Sequence, residues 1–297
     1  MAGPLPLRPV YGVFIPKARS AGRRFGAALA FGPPRAYDLV TMATREDIVA
    51  PPVAPLWGEL RYGGELARLL AGQALSGQAL RRPHRDAQPV LLIPGFMAGD
   101  SSLTIMRAWL RSRGHRVSMS GLRLNAGCAE EIVSRLQVKV REQAERREEP
   151  VVLIGQSRGG ALARSLAVRE PDSVAALVML GSPVVDPLAV SPGVLRTVRM
   201  MASLGDLGIR RIFSTDCADG ECCEEHWADL DAPLASHIEA ISIFSRSDGI
   251  VDWNACLDPH SRNIEVSSSH CGMSVHPAVY RVLEEMLDRN REAAWSG

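Results

Sequence analysis

A serine hydroxyl between glycines, then an aspartate, then a histidine, are residue types that together can carry out nucleophilic acyl chemistry. Gly155-Gln156-Ser157-Arg158-Gly159 supplies the first of them. The β-branched run Val151–Ile154 precedes it and the small-residue stretch Gly159–Arg169 follows, so a strand, a tight turn and a helix come in direct succession. Such a turn brings backbone against backbone two residues before and two after the serine, which glycine tolerates, and it projects the hydroxyl clear of the sheet. Ser157 is therefore the candidate nucleophile.

A hydroxyl attacks only when a base takes its proton, and in this layout the partners follow in the order Ser, Asp/Glu, His. Ala240–Phe244 reads as a strand leading into Ser247-Asp248-Gly249, which puts Asp248 in the loop just beyond it. Asp252 is the rival, although its place ahead of Trp253 and Asn254 suits a turn or cap equally well. Ile264–Val266 leads to His270, the expected base. His276, before Pro277, reads as a residue entering the last helix, and His226 and His237 precede the acid, which is the wrong order. The tetrahedral intermediate also needs backbone donors aimed at its oxyanion. The Arg158 amide, at a helix start, is one. The loop Pro94–Asp100 offers Phe96, with Met97 second, and the Phe96 ring would then help wall an acyl pocket.

The elements that must position these groups alternate. Strand-like runs at Pro89–Ile93, Val117–Ser120, Val151–Ile154 and Val174–Leu180 are separated by helical spacing over Ser101–Arg113, Ala129–Arg146 and Gly159–Arg169. Short strands without polar alternation, separated by helices, predict an α/β fold with a mostly parallel sheet buried on both faces. The rhythm breaks after Leu180 and resumes at Ala240–Phe244, Ile264–Val266 and a closing helix over Pro277–Asn290. We therefore expect a helical lead-in over residues 42–88, containing a helix between Leu56 and about Leu80, and a main domain over 89–293. An insertion at about 183–238 should lie between the sixth and seventh strands of the full pattern. Its amphipathic positions Leu195, Val198, Met201 and Leu204 mark a helix that either packs onto the body or roofs the site as a lid. Residues 1–41 carry six basic side chains against Asp38, are rich in Pro and Gly, and read as a loosely ordered basic extension.

With 297 residues, 46% of them hydrophobic, one large α/β domain has enough chain for a well-covered core. A net charge of +1 and 5% aromatics give neither a basic field nor a stacking platform, so nucleic acid is not an expected partner. No run approaches the roughly 18 apolar residues of a membrane-spanning helix, and a cytoplasmic protein is the expectation. No cofactor is called for.

Taken together, Pro94-Gly95-Phe96, Gly155-Gln156-Ser157-Arg158-Gly159-Gly160, Leu180-Gly181-Ser182-Pro183, Ser247-Asp248-Gly249-Ile250-Val251 and Ser269-His270-Cys271-Gly272-Met273 resemble a bacterial lipase/esterase-like branch of the α/β-hydrolase superfamily. The resemblance runs from about Val90 to Leu287. It implies the α/β-hydrolase fold and ester hydrolysis through an acyl-enzyme. Ser157, Asp248 and His270 would form the triad, Phe96 and Arg158 would be the oxyanion donors, and the substrate would be an ester with an apolar acyl group. Acyl transfer or thioester hydrolysis on the same triad, and ligand binding without catalysis, are the alternatives. Many lipases carry a histidine before the oxyanion glycine and another before the nucleophile. Pro94 and Gln156 stand there instead, which leaves the triad intact and argues against a true fat-splitting lipase.

Six cysteines are too few for a disulfide-built fold at this length. Cys217, Cys222, Cys223 and His226 include enough donors for zinc, but paired Cys-x-x-Cys spacing is absent, so metal, a disulfide from Cys217 to Cys222 or Cys223, and free thiols stay open and no metal is assigned. A Cys256–Cys271 bridge would tie the acid loop to the base loop under oxidising conditions. Buried small thiols are the equal alternative.

Overall fold

A computed structural model describes residues 59, 61–75, 88–209, 211–219 and 221–295. The basic extension 1–41 lies outside the described residues, as does most of the lead-in. Helix α1, Tyr62–Leu75, occupies the centre of the expected lead-in helix. It packs Leu69 into the core and leaves Leu70 exposed.

Six strands form one sheet in the order β2-β1-β3-β4-β5-β6. They are β1 (Pro89–Ile93), β2 (Arg116–Met119), β3 (Val151–Gln156), β4 (Val174–Leu180), β5 (Glu239–Phe244) and β6 (Arg262–Glu265), and every neighbouring pair is parallel. In β1 and β3 every residue is buried, as strands covered on both faces require. Alternate residues serve opposite faces. Val90, Leu92, Val152 and Ile154 pack with α1, α2 (Thr104–Ser112) and α8 (Pro277–Trp295), whereas Leu91, Ile93, Val151 and Leu153 pack with α3 (Ala129–Arg147) and α4 (Arg158–Arg169).

Two edges depart from the sequence reading. β2 begins at Arg116 and β6 covers Arg262–Glu265 rather than Ile264–Val266. These are edge strands whose outer residues face solvent, so the backbone ladder continues through residues with polar side chains that hydrophobic patterning does not register. The helix expected over Ser101–Arg113 opens as a 3-10 turn, Asp100–Leu103, before α2.

Between β4 and β5, the fourth and fifth strands among the described residues, lie α5 (Pro192–Asp206), α6 (Thr215–Asp219) and α7 (Glu224–Asp231). The amphipathic reading of α5 holds: Met201 is buried, with Val198 and Leu204 packed beside it and Phe213. The start of the insertion is laced to the loop after β5, since Ser191 N donates to Ile250 O at 2.7 Å and Asp252 N to Ala189 O at 2.9 Å. No helix among the described residues is long and apolar enough to cross a membrane.

Candidate active site

Ser157 sits between the end of β3 and the start of α4, with φ 52° and ψ −128°. A non-glycine residue at positive φ is strained, and the neighbouring glycines are what allow it. A Cβ on Gly155 would lie 2.3 Å from Gly159 O, and one on Gly159 would lie 2.3 Å from Ile93 O, so any side chain at either position would push α4 away from the sheet. Helix α4 itself is buried along most of its length, which explains its small residues. Its middle arginine, Arg164, is fully buried and donates to Asp258 at 3.0 Å.

Asp248 and His270 come from the loops after β5 and β6 and meet at 2.6 Å between Oδ2 and Nδ1, both buried. The second carboxylate oxygen of Asp248 accepts the amides of Ile250 and Val251, each at 2.8 Å. Burial alone would pull the His270 pKa down. The charge of Asp248, its hydrogen bond and the charge of Glu59 outweigh it, and the pKa rises above 6.5. Asp252 is not part of this pair, for its carboxylate caps the turn that follows by accepting Asn254 N at 3.0 Å. His276 accepts the Ala278 amide at the start of α8, as expected of an entry residue. His226 bonds Ser165 on α4 at 2.7 Å, and burial together with the charges of Arg158 and Arg169 holds its pKa down to about 4.

Ser157 and His270 both line a cavity of about 600 Å³, together with Phe96, Met97 and the α5 residues Val194 and Val198. In the loop after β1, the Met97 amide is already committed to Asn125 O at 3.1 Å, whereas the Phe96 amide donates to none of the described residues. The Arg158 amide is the first of α4 and has no partner within the helix. Its guanidinium donates to Asn125 Oδ1 and Gly127 O, each at 2.6 Å, and stands over the Phe213 ring. Burial pushes its pKa down to about 10.

Three bracing residues escaped sequence reading. Asn125, fully buried, donates to Pro94 O at 2.8 Å and accepts Arg158, so it ties the loop after β1 to the residue following Ser157. Glu59 accepts the His270 and Cys271 amides at 2.9 and 3.0 Å, and Glu65 accepts Ser269 N at 2.9 Å and its hydroxyl at 2.7 Å. Both carboxylates reach the base loop from the lead-in, more than 200 residues away in sequence, and no local pattern signals that. Gln156, where many lipases have histidine, donates to His270 O at 3.3 Å and so braces the same loop. Cys256 and Cys271 are both free thiols, the first buried and the second exposed.

A family model for the α/β hydrolase fold matches residues 88–202. No curated protein matches the sequence. Among solved structures, the mature form of Bacillus licheniformis lipase BlEst2 is similar at 15% identity over 70% of this chain and 94% of that one, with a TM-score of 0.52. A soluble variant of the monoglyceride lipase from Saccharomyces cerevisiae is similar at 12% identity over 71% and 89%, also with a TM-score of 0.52. The α/β hydrolase MGS-MChE2, from the metagenome of lagoon sediments at Mar Chica, Morocco, aligns at 19% identity over 71% and 98%, with a TM-score of 0.50. At such identities the shared property is architecture. The chain has the α/β-hydrolase fold.

Proposed function

We propose that the protein is a serine carboxylic-ester hydrolase that works through an acyl-enzyme on esters with an apolar acyl group. The observation that carries this reading is the buried Asp248–His270 pair opening on the same cavity as a serine held at positive φ. In the proposed cycle His270 takes the Ser157 proton as Oγ attacks the ester carbonyl, and Asp248 stabilises the imidazolium that results. The amides of Phe96 and Arg158 receive the oxyanion. His270 then returns the proton to the leaving alkoxide, and water repeats the sequence in reverse to release the acid. Phe96, Met97, Leu188, Val194, Val198 and Phe213 line the cavity, which supports an apolar acyl group.

A fluorophosphonate probe tests the nucleophile. The native protein should be labelled and Ser157→Ala should not. Equal labelling of both would dismiss Ser157, and absence of turnover across p-nitrophenyl esters from acetate to palmitate by folded protein would dismiss the reaction class.

A further inference from the structure

We propose that Cys128, Cys217, Cys222 and Cys223 form a closed tetrathiolate site for one zinc ion, stapling the insertion between β4 and β5 to the body of the domain. Their four sulfurs all lie within 4.8 Å of one another. Cys128 Sγ is 3.8 Å from Cys222 Sγ and 3.6 Å from Cys223 Sγ, and Cys222 and Cys223 are 3.6 Å apart. Zinc–sulfur bonds of about 2.3 Å in a tetrahedron put sulfurs about 3.8 Å apart, so these three edges already have the required length. Of the other three edges of the tetrahedron, Cys217–Cys222 at 2.8 Å must open by about 1 Å and is longer than the roughly 2.0 Å of a disulfide, while Cys217 lies within 4.8 Å of Cys128 and Cys223. An all-thiolate set selects a borderline-soft cation over magnesium or calcium. Sulfurs this close leave no space for the inorganic core of an iron–sulfur cluster.

Two helix N-termini, a hydroxyl and a guanidinium surround the sulfurs. Cys128 is the N-cap of α3 and Cys223 that of α7, where unpaired helix amides favour negative charge. The Ser214 hydroxyl donates to Cys217 Sγ at 3.5 Å. The Arg158 guanidinium lies within electrostatic reach of Cys223, Cys128 and Cys217 and offsets part of the net charge of a four-thiolate zinc site. Binding exchanges four thiol protons, lost to solvent, for four sulfur–metal bonds. Four protein ligands leave no open position, so the ion is structural. Cys217 and Cys223 also line the candidate active-site cavity, so the ion would fix the shape of one wall. Sequence spacing could not reveal the site, because the fourth ligand stands 94 residues before Cys222.

This inference does not depend on the identity of the nucleophile, and neither does its test. The full chain, purified without chelator from zinc-supplemented cells, is assayed by elemental mass spectrometry and native thiol titration. About one zinc per chain is expected, released by a mercurial and retained in Cys256→Ser and Cys271→Ser, with Cys128→Ser and Cys223→Ser below about one tenth of that. A serine variant that misfolds would lose metal for an unrelated reason. The unmutated chain is therefore also stripped and loaded with cobalt, which should give a thiolate-to-cobalt charge-transfer band and the strong visible bands of tetrahedral coordination. Zinc well below one per chain with only weak octahedral cobalt bands, or a Cys217–Cys222 disulfide found by peptide mapping of the freshly purified protein, would overturn the proposal.

Discussion

Replacing Asp248 by Asn removes a negative charge 2.6 Å from His270 Nδ1 while keeping the side chain's shape. In the proposed cycle the imidazole becomes a cation during attack. Opposite unit charges at that separation interact by about 6 kcal/mol at an effective dielectric of about 20. Asn recovers about 1 kcal/mol if its oxygen faces Nδ1, and it imposes the wrong tautomer if its nitrogen does. Relaxation of the site and entry of water trim the remainder to about 3–5 kcal/mol, so kcat/KM for a short p-nitrophenyl ester should fall by about 10²–10⁴. Asp252→Asn should cost less than about threefold, because that carboxylate caps a turn. The pH profile supplies a second readout. A base works only when neutral, and His270 has its pKa raised by Asp248, so activity should decline as pH drops through that raised value. Without the Asp248 charge the acid limb should move to lower pH while the amplitude falls. A loss of less than about tenfold, an unmoved acid limb, or a larger effect from Asp252→Asn would refute the pairing.

Gly159→Ala should destabilise the fold by about 3 kcal/mol or more in urea unfolding, since its Cβ would meet Ile93 O at 2.3 Å; a cost under about 1 kcal/mol would mean that the elbow yields. Glu59→Gln weakens two charge-assisted bonds to the base loop, so kcat should fall about tenfold with KM little changed, and a change confined to KM would place Glu59 in binding instead. His226 is held neutral in the folded state, with a pKa of about 4 against 6.5 when unfolded. Between those values the unfolded chain binds the extra proton, so stability falls as pH drops from 6.5 towards 4, by about 3 kcal/mol in all. In urea titrations His226→Gln should flatten that slope, and an unchanged slope would assign it to other groups.

The elements closest to Ser157 were legible because their determinants are local. The run Val151–Ile154, the two glycines and the small-residue stretch lie within twenty residues and must fold as strand, elbow and helix. The Asp248–His270 pair was legible through strand ends, and the choice between Asp248 and Asp252 rested on the turn-like neighbours of Asp252. The lead-in carboxylates could not be read in this way. Glu59 and Glu65 belong to no motif in the lead-in stretch, and their contacts with the loop of His270 form only once the chain closes upon itself. Asn125 belongs to no motif, although it is fully buried and satisfied on both sides. The edge strands were misplaced at their ends because a half-solvated ladder does not demand apolar residues.

The clasp of Glu59 and Glu65 on the base loop also sets an order of assembly. Strand β3 and helix α4 are contiguous and can settle early, as low sequence separation favours. The base loop is fixed only after contacts spanning 204 to 212 residues have closed. During synthesis the serine thus leaves the ribosome well ahead of the histidine that would activate it, and the nascent chain passes through a stage with a poised hydroxyl and no means of using it. On the proposed reading, the site is complete only once the loop of His270 has docked on Glu59 and Glu65.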